Sequence, residues 1–89
     1  VKMDDQELFG FPCAFPIKAV GANTSGFEAL VVEIVRRHVP DLGEGAVRTR
    51  ASREGRWLSV TVTVTARSRA QLDAIYRDLS GHPAVVWAL

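Results

Sequence analysis

A single cysteine, Cys13, leaves no internal disulfide framework to be made, and a reducing compartment is the natural expectation. Histidine is nearly as scarce. His38 and His82 are the only two, and neither they nor Cys13 fall at a spacing that zinc sites use. An excess of one charge is missing as well: 11 Lys and Arg face 10 Asp and Glu, for a net charge of +1. No global field therefore draws in nucleic acid or an acidic membrane. No apolar run approaches the roughly 20 residues needed to cross a bilayer. The stretch from Val1 to Gly10 is acidic and lacks the basic-then-apolar layout of a signal peptide. There is no P-loop and no dinucleotide fingerprint. Together these absences predict a cytoplasmic protein without cofactor or metal and without a membrane partner.

What the chain does have is one run of strict alternation. Leu58-Ser59-Val60-Thr61-Val62-Thr63-Val64-Thr65 interleaves aliphatic and hydroxyl residues without a break. Successive strand side chains point to opposite faces, so one face is aliphatic and the other a row of Ser and Thr. This predicts a central strand of a sheet covered on one side only. At 89 residues, with 47% hydrophobic residues, the chain has room for one small domain with a single core.

The rest of the chain fits around that strand. Residues 1–12 show no period and are expected to form a flexible tail, with Phe9 and Phe11 pinning part of it; residues 13–89 form the domain. Ala14 to Gly21 reads as a first strand, with Phe15, Ile17 and Ala19 on one face and Lys18 and Val20 on the other. Ser25-Gly26-Phe27-Glu28 matches a capping box, and Phe27, Leu30, Val31, Ile34 and Val35 follow at helical spacing up to a stop at Pro40. Ala46 to Ser52 is a second strand, with Arg48 and Arg50 on its polar side. Arg53-Glu54-Gly55-Arg56 is a hairpin turn, with Gly55 free to take positive φ. Ser68-Arg69-Ala70-Gln71 is a second capping box, and Leu72, Ile75, Tyr76 and Leu79 make an apolar stripe. Gly81 is placed to take a left-handed cap. Ala84 to Leu89 is a last strand, with Val85, Trp87 and Leu89 sharing the core face and Ala84 and Val86 the other.

Strand, helix, strand, strand, helix, strand is the ferredoxin-like βαββαβ order. This α+β sandwich has a four-stranded antiparallel sheet with both helices on one face. The other face is left open. Lys18, Arg48, Arg50, Ser59, Thr61, Thr63 and Thr65 are expected there, with Trp57 in phase with Ser59 at the hairpin end.

None of the chemistry-bearing residues forms a catalytic set. Cys13 lies among Phe11, Pro12, Ala14 and Phe15, with no base in its neighbourhood, and reads as an inert thiol. His38, at a helix C-terminus, is favoured there as a cation by the helix dipole. Asp4 and Asp5 fall in the tail. Asp73 and Asp78, five apart, do not share a helix face. General acid–base work needs groups converging on one substrate position, so the expectation is a protein that is not an enzyme. The hairpin is the exception to this blandness. Arg48, Arg50, Arg53 and Arg56 cluster around it, and Trp57 stands beside them. Tryptophan and arginine are the residue types enriched at binding hot spots. Edge protection explains the arginines equally well. RNA binding on this topology needs stacking aromatics on the central strands, where Ser and Thr stand instead.

The segments resemble the YbeD-like family of small bacterial proteins of unknown function. The features that match are Phe11-Pro12 before Phe15, Lys18-Ala19-Val20-Gly21, and Val32-Glu33-Ile34-Val35-Arg36-Arg37-His38 with Pro40. Ser59-Val60-Thr61-Val62, Leu72-Asp73-Ala74-Ile75-Tyr76-Arg77-Asp78-Leu79 and Val85-Val86-Trp87-Ala88-Leu89 complete them. The resemblance implies a ferredoxin-like fold that looks like regulatory ACT domains, and it brings no catalytic residues. By the same likeness, Gly21, Asn23, Ser25 and Gly26 occupy the place of the ACT ligand turn, where a small amino-acid-like metabolite would bind. The expectation is a regulatory or interaction module. A protein partner or a second copy would meet the open face through Lys18, Arg48, Arg50, Arg56 and Trp57. RNA binding on that face and metabolite binding at the turn are the alternatives.

Overall fold

A computed structural model describes residue 10 and residues 12–89. The expected tail, with Phe9, Phe11, Asp4 and Asp5, therefore lies almost wholly outside the described residues. Six elements follow in order: β1 (Cys13–Ala22), α1 (Phe27–Arg36), β2 (Val47–Ala51), β3 (Trp57–Ala66), α2 (Arg69–Ser80) and β4 (Val85–Ala88), with a 3₁₀ turn at Glu44–Ala46 before β2. The sheet order is β2-β3-β1-β4 and each pairing is antiparallel. The fold is ferredoxin-like, with the alternating strand β3 next to the centre as its pattern requires.

The core forms where the aliphatic face of the sheet meets the helices. Ile17 lies opposite Val62 and Ala19 opposite Val60 across β1 and β3. All four are fully buried, as are Val31 and Val35 of α1 and Ile75 and Leu79 of α2. No polar or charged side chain is buried among the described residues, so removal of apolar surface from water is the main force holding the layers together.

Two of the three expected caps differ from the sequence pattern. Ser25 does not cap α1. Gly26 is the N-cap residue and no side chain bonds there. Asn23 is the cause: its backbone N–H donates to the Arg56 carbonyl at 2.9 Å and its side-chain amide donates to the Gly55 carbonyl at 2.9 Å. The turn is pinned to the hairpin at Asn23, and the chain enters the helix one residue later than the Ser-x-x-Glu pattern implies. Gly81 likewise is not left-handed, with φ −79°. Its N–H donates to the Arg77 carbonyl and the His82 N–H to the Leu79 carbonyl. The terminal carbonyls thus find partners without a left-handed residue.

Ser68 does cap α2, though Gln71 reaches back past the cap to Arg67 rather than closing the box on Ser68 itself. Ser68 Oγ accepts from the Gln71 N–H at 3.1 Å, and Gln71 Oε1 accepts from the Arg67 N–H at 2.7 Å. Ser68→Ala is expected to cost about 1 kcal/mol, the usual worth of an N-cap. Ser25→Ala, despite its more conventional motif, is expected to cost well under half of that. Chemical denaturation of the two variants checks the difference.

Candidate functional site

The open face of the sheet carries rows of side chains set by strand register. Arg50 of β2 lies opposite Ser59 of β3, and Ser59 lies opposite Val20 of β1. Arg48 and Lys18 flank Thr61 in the next row. Trp57 begins β3 on the same side, opposite Ala22. These positions follow from period-2 alternation and agree with the sequence reading.

Trp87 does not. It sits on the open face and is 43% exposed. A β-bulge is responsible: Val20 pairs with Trp87 but Gly21 pairs with Val85, so Val86 is an extra residue on β4. The extra residue reverses the phase of the strand. Val85 stays in the core, Val86 is exposed, and Trp87 turns to the other side. The signal was present in the sequence as Gly21, since an isolated strand glycine marks a bulge or a close backbone approach. A Cβ on Gly21 would collide with the Ala84 carbonyl oxygen and with the ring edge of Phe27.

The bulge assembles a site that alternation alone does not. Lys18, Val20, Arg50, Trp57, Ser59 and Trp87 line a shallow basin of about 280 Å³ together with Ala51 and Ser52. The Lys18 ammonium stands over the Trp87 ring, 5.9 Å from its centroid, within reach of a cation–π attraction. Ser59 Oγ donates to the Arg50 carbonyl at 3.2 Å. Trp57, 41% exposed, forms the opposite wall. Its backbone N–H donates to Ser52 Oγ at 3.0 Å, which ties the start of β3 to the hairpin. Gly55 takes φ +76° in that turn.

Of the five expected contact residues, the structure brings Lys18, Arg50 and Trp57 around this basin. Arg48 stands one row away, beyond Thr61. Arg56 lies around the hairpin tip, in a second depression lined by Ser52, Arg53, Glu54 and Trp57. In the expected ligand turn, Gly21 is occupied by packing and Asn23 by its two bonds to the hairpin. Ser25 and Gly26 are exposed.

His38 belongs to a different place. Its Nε2 donates to Asp78 Oδ2 at 2.6 Å, and its carbonyl accepts from Gln71 Nε2 at 3.2 Å. The pair fastens the end of α1 to α2. Only the helical segments were legible in the sequence here, because a contact across 40 residues leaves no local pattern. His82 Nδ1 accepts from the Ala84 N–H at 3.0 Å, shaping the turn into β4. Among the described residues, no group of three or more His, Cys, Asp or Glu is placed to hold a metal ion. Nor is any helix there long and apolar enough to cross a membrane.

Residues 6–89 match the family model described as a protein of unknown function, DUF493. A UPF0250 protein of Chromobacterium violaceum is 51% identical over 86 residues, covering 97% of this chain and 97% of its own. A UPF0250 protein of Leptothrix cholodnii is 51% identical over 81 residues, 91% of this chain and 89% of its own. One from Nitrosomonas europaea is 41% identical over 87 residues, 98% of this chain and all of its own.

Proposed function

The chain belongs to the DUF493 family of bacterial proteins of unknown function, the YbeD-like family of the sequence resemblance, and we propose that it works as a non-enzymatic interaction module of the cytoplasm. Its contact surface is the open sheet face around Trp57 and Trp87. One observation carries this reading: the chain's two tryptophans stand half-exposed on opposite sides of one basin. A β-bulge is needed to bring the second of them there. Large aromatics left in water beside arginine are the composition of an interface centre. A regulatory role is part of the proposal and is supported only by the sequence resemblance to ACT domains.

The test is capture from a native bacterial lysate with tagged protein and with a Trp57→Ala, Arg50→Ala double variant. Both side chains are exposed, so the variant is expected to keep the parent's circular dichroism and to lose the bound partner. If the arginines serve only to guard the β2 edge, the variant will retain the partner and self-associate more strongly. That result would remove the open face from consideration.

A second reading has one observation in its favour. Two tryptophans with cations beside them also make a stacking platform for single-stranded RNA. Oligouridylate binding that falls steeply as salt rises would support it. Salt-insensitive retention of a protein partner would count against it.

A further inference from the structure

The basin says something about what it would hold. Its two cations lack counter-charges. Arg50 has no ion pair or hydrogen bond through its guanidinium among the described residues, and the Lys18 ammonium has only the Trp87 ring. Elsewhere Arg37, Arg67 and His38 are each matched by a carboxylate. Glu28, Glu33, Asp73 and Asp78 belong to the helices, Asp41 follows α1, and Glu54 is at the hairpin tip. Among the described residues the basin's own charges are therefore positive, although the chain as a whole is close to neutral.

The floor is mixed. Val20 contributes only hydrocarbon, and the Ser59 hydroxyl donates to the Arg50 carbonyl, which leaves its oxygen as an acceptor. At about 280 Å³ and walled by half-exposed rings, the basin falls just short of the roughly 300–1,000 Å³ of pockets that enclose a small molecule. It has the volume for one apolar side chain delivered by a backbone running across the sheet. Lys18 covers part of the Trp87 ring on which a nucleic-acid base would stack, which favours a peptide.

We propose that this basin seats an acidic peptide segment of a partner protein, with one apolar side chain lodged between Trp57 and Trp87 and flanking carboxylates held by Lys18 and Arg50. This rests on the open face being the contact surface, and it names the chemistry of the partner. Arg50 offers its planar fork to a carboxylate at the β2 side. Lys18 supplies a point charge beside the Trp87 wall.

The probe is a library of random short peptides displayed on phage, selected on the immobilised full chain. The Trp57→Ala, Arg50→Ala variant removes peptides that bind elsewhere. Enrichment of Asp or Glu around a Leu, Ile or Phe is expected, and Arg50→Glu or Lys18→Glu should weaken the selected peptide about tenfold or more. The chain carrying both reversals should instead select Lys and Arg around the same apolar residue. Enrichment of basic or uncharged motifs, no enrichment over the double variant, or tighter binding of oligouridylate than of any selected peptide would overturn the proposal. The open-face reading fails separately. If no acidic motif emerges while the lysate partner still depends on Trp57 and Arg50, the surface stands and only the partner's chemistry is wrong.

Discussion

Val62→Asp is expected to leave the chain unfolded at room temperature. Val62 is fully buried, lies opposite Ile17 of β1 on one side and Val47 of β2 on the other, and faces both helices. A carboxylate there has no partner, since no polar or charged side chain is buried among the described residues. Unpaired charges in cores are among the few substitutions that cost more than about 4 kcal/mol, and a domain this small starts near the low end of the roughly 5–15 kcal/mol typical of folded proteins. Thr63→Asp, one residue further along the same strand, puts the same charge on the exposed face. It should shift the denaturation midpoint only slightly. Circular dichroism of the two variants measures the contrast, and equal midpoints would mean that the strand register is wrong.

Gly21→Ala is expected to be the most damaging glycine-to-alanine change in this protein. The new Cβ would overlap the backbone oxygen of Ala84 and the ring edge of Phe27, with Phe27 Cζ at 2.7 Å. One of these is backbone, which cannot swing aside as a flexible side chain would. Overpacking of this kind costs about 3 kcal/mol. Gly43→Ala is the matched control. Gly43 has φ −83° and open space where a Cβ would stand, so alanine should stabilise by about 0.4–1 kcal/mol through the unfolded chain. Opposite signs in urea denaturation are the expected result. A Gly21→Ala variant as stable as its parent would show that β4 and α1 do not close on β1 as described.

The fold was legible because its determinants are local and repeated. Val60, Val62 and Val64 alternate with Thr61, Thr63 and Thr65, which states both the strand and its buried face. Gly55 states the hairpin. The apolar spacing of α1 and α2 states two helices with one buried side each. The failures have a common cause in contacts between distant parts of the chain. Ser25 has the residues of a cap but loses its position to Asn23, which is held by the hairpin carbonyls. Trp87 has the parity of a core residue but is turned out by a bulge that meets β1 at Gly21. The candidate site suffered most, since one of its two walls is Trp87. Lys18, Arg50 and Trp57 could be placed by counting along regular strands. Their convergence with Trp87 on one basin could not.

That bulge also decides what light emitted by this protein reports. Its two tryptophans are its only indoles, and both are half-exposed in the folded state, while the interior is built from aliphatic residues and Phe27. Indole emission is governed by the polarity around the ring, so the native spectrum should lie between that of a buried indole and that of the denatured chain. Loss of the core will move it only the remaining part of the way to the red. A partner settling between the rings will dry them and shift the emission to the blue. The molecule thus carries a built-in optical gauge in which folding and occupancy move the signal in the same direction, each from a half-exposed starting point.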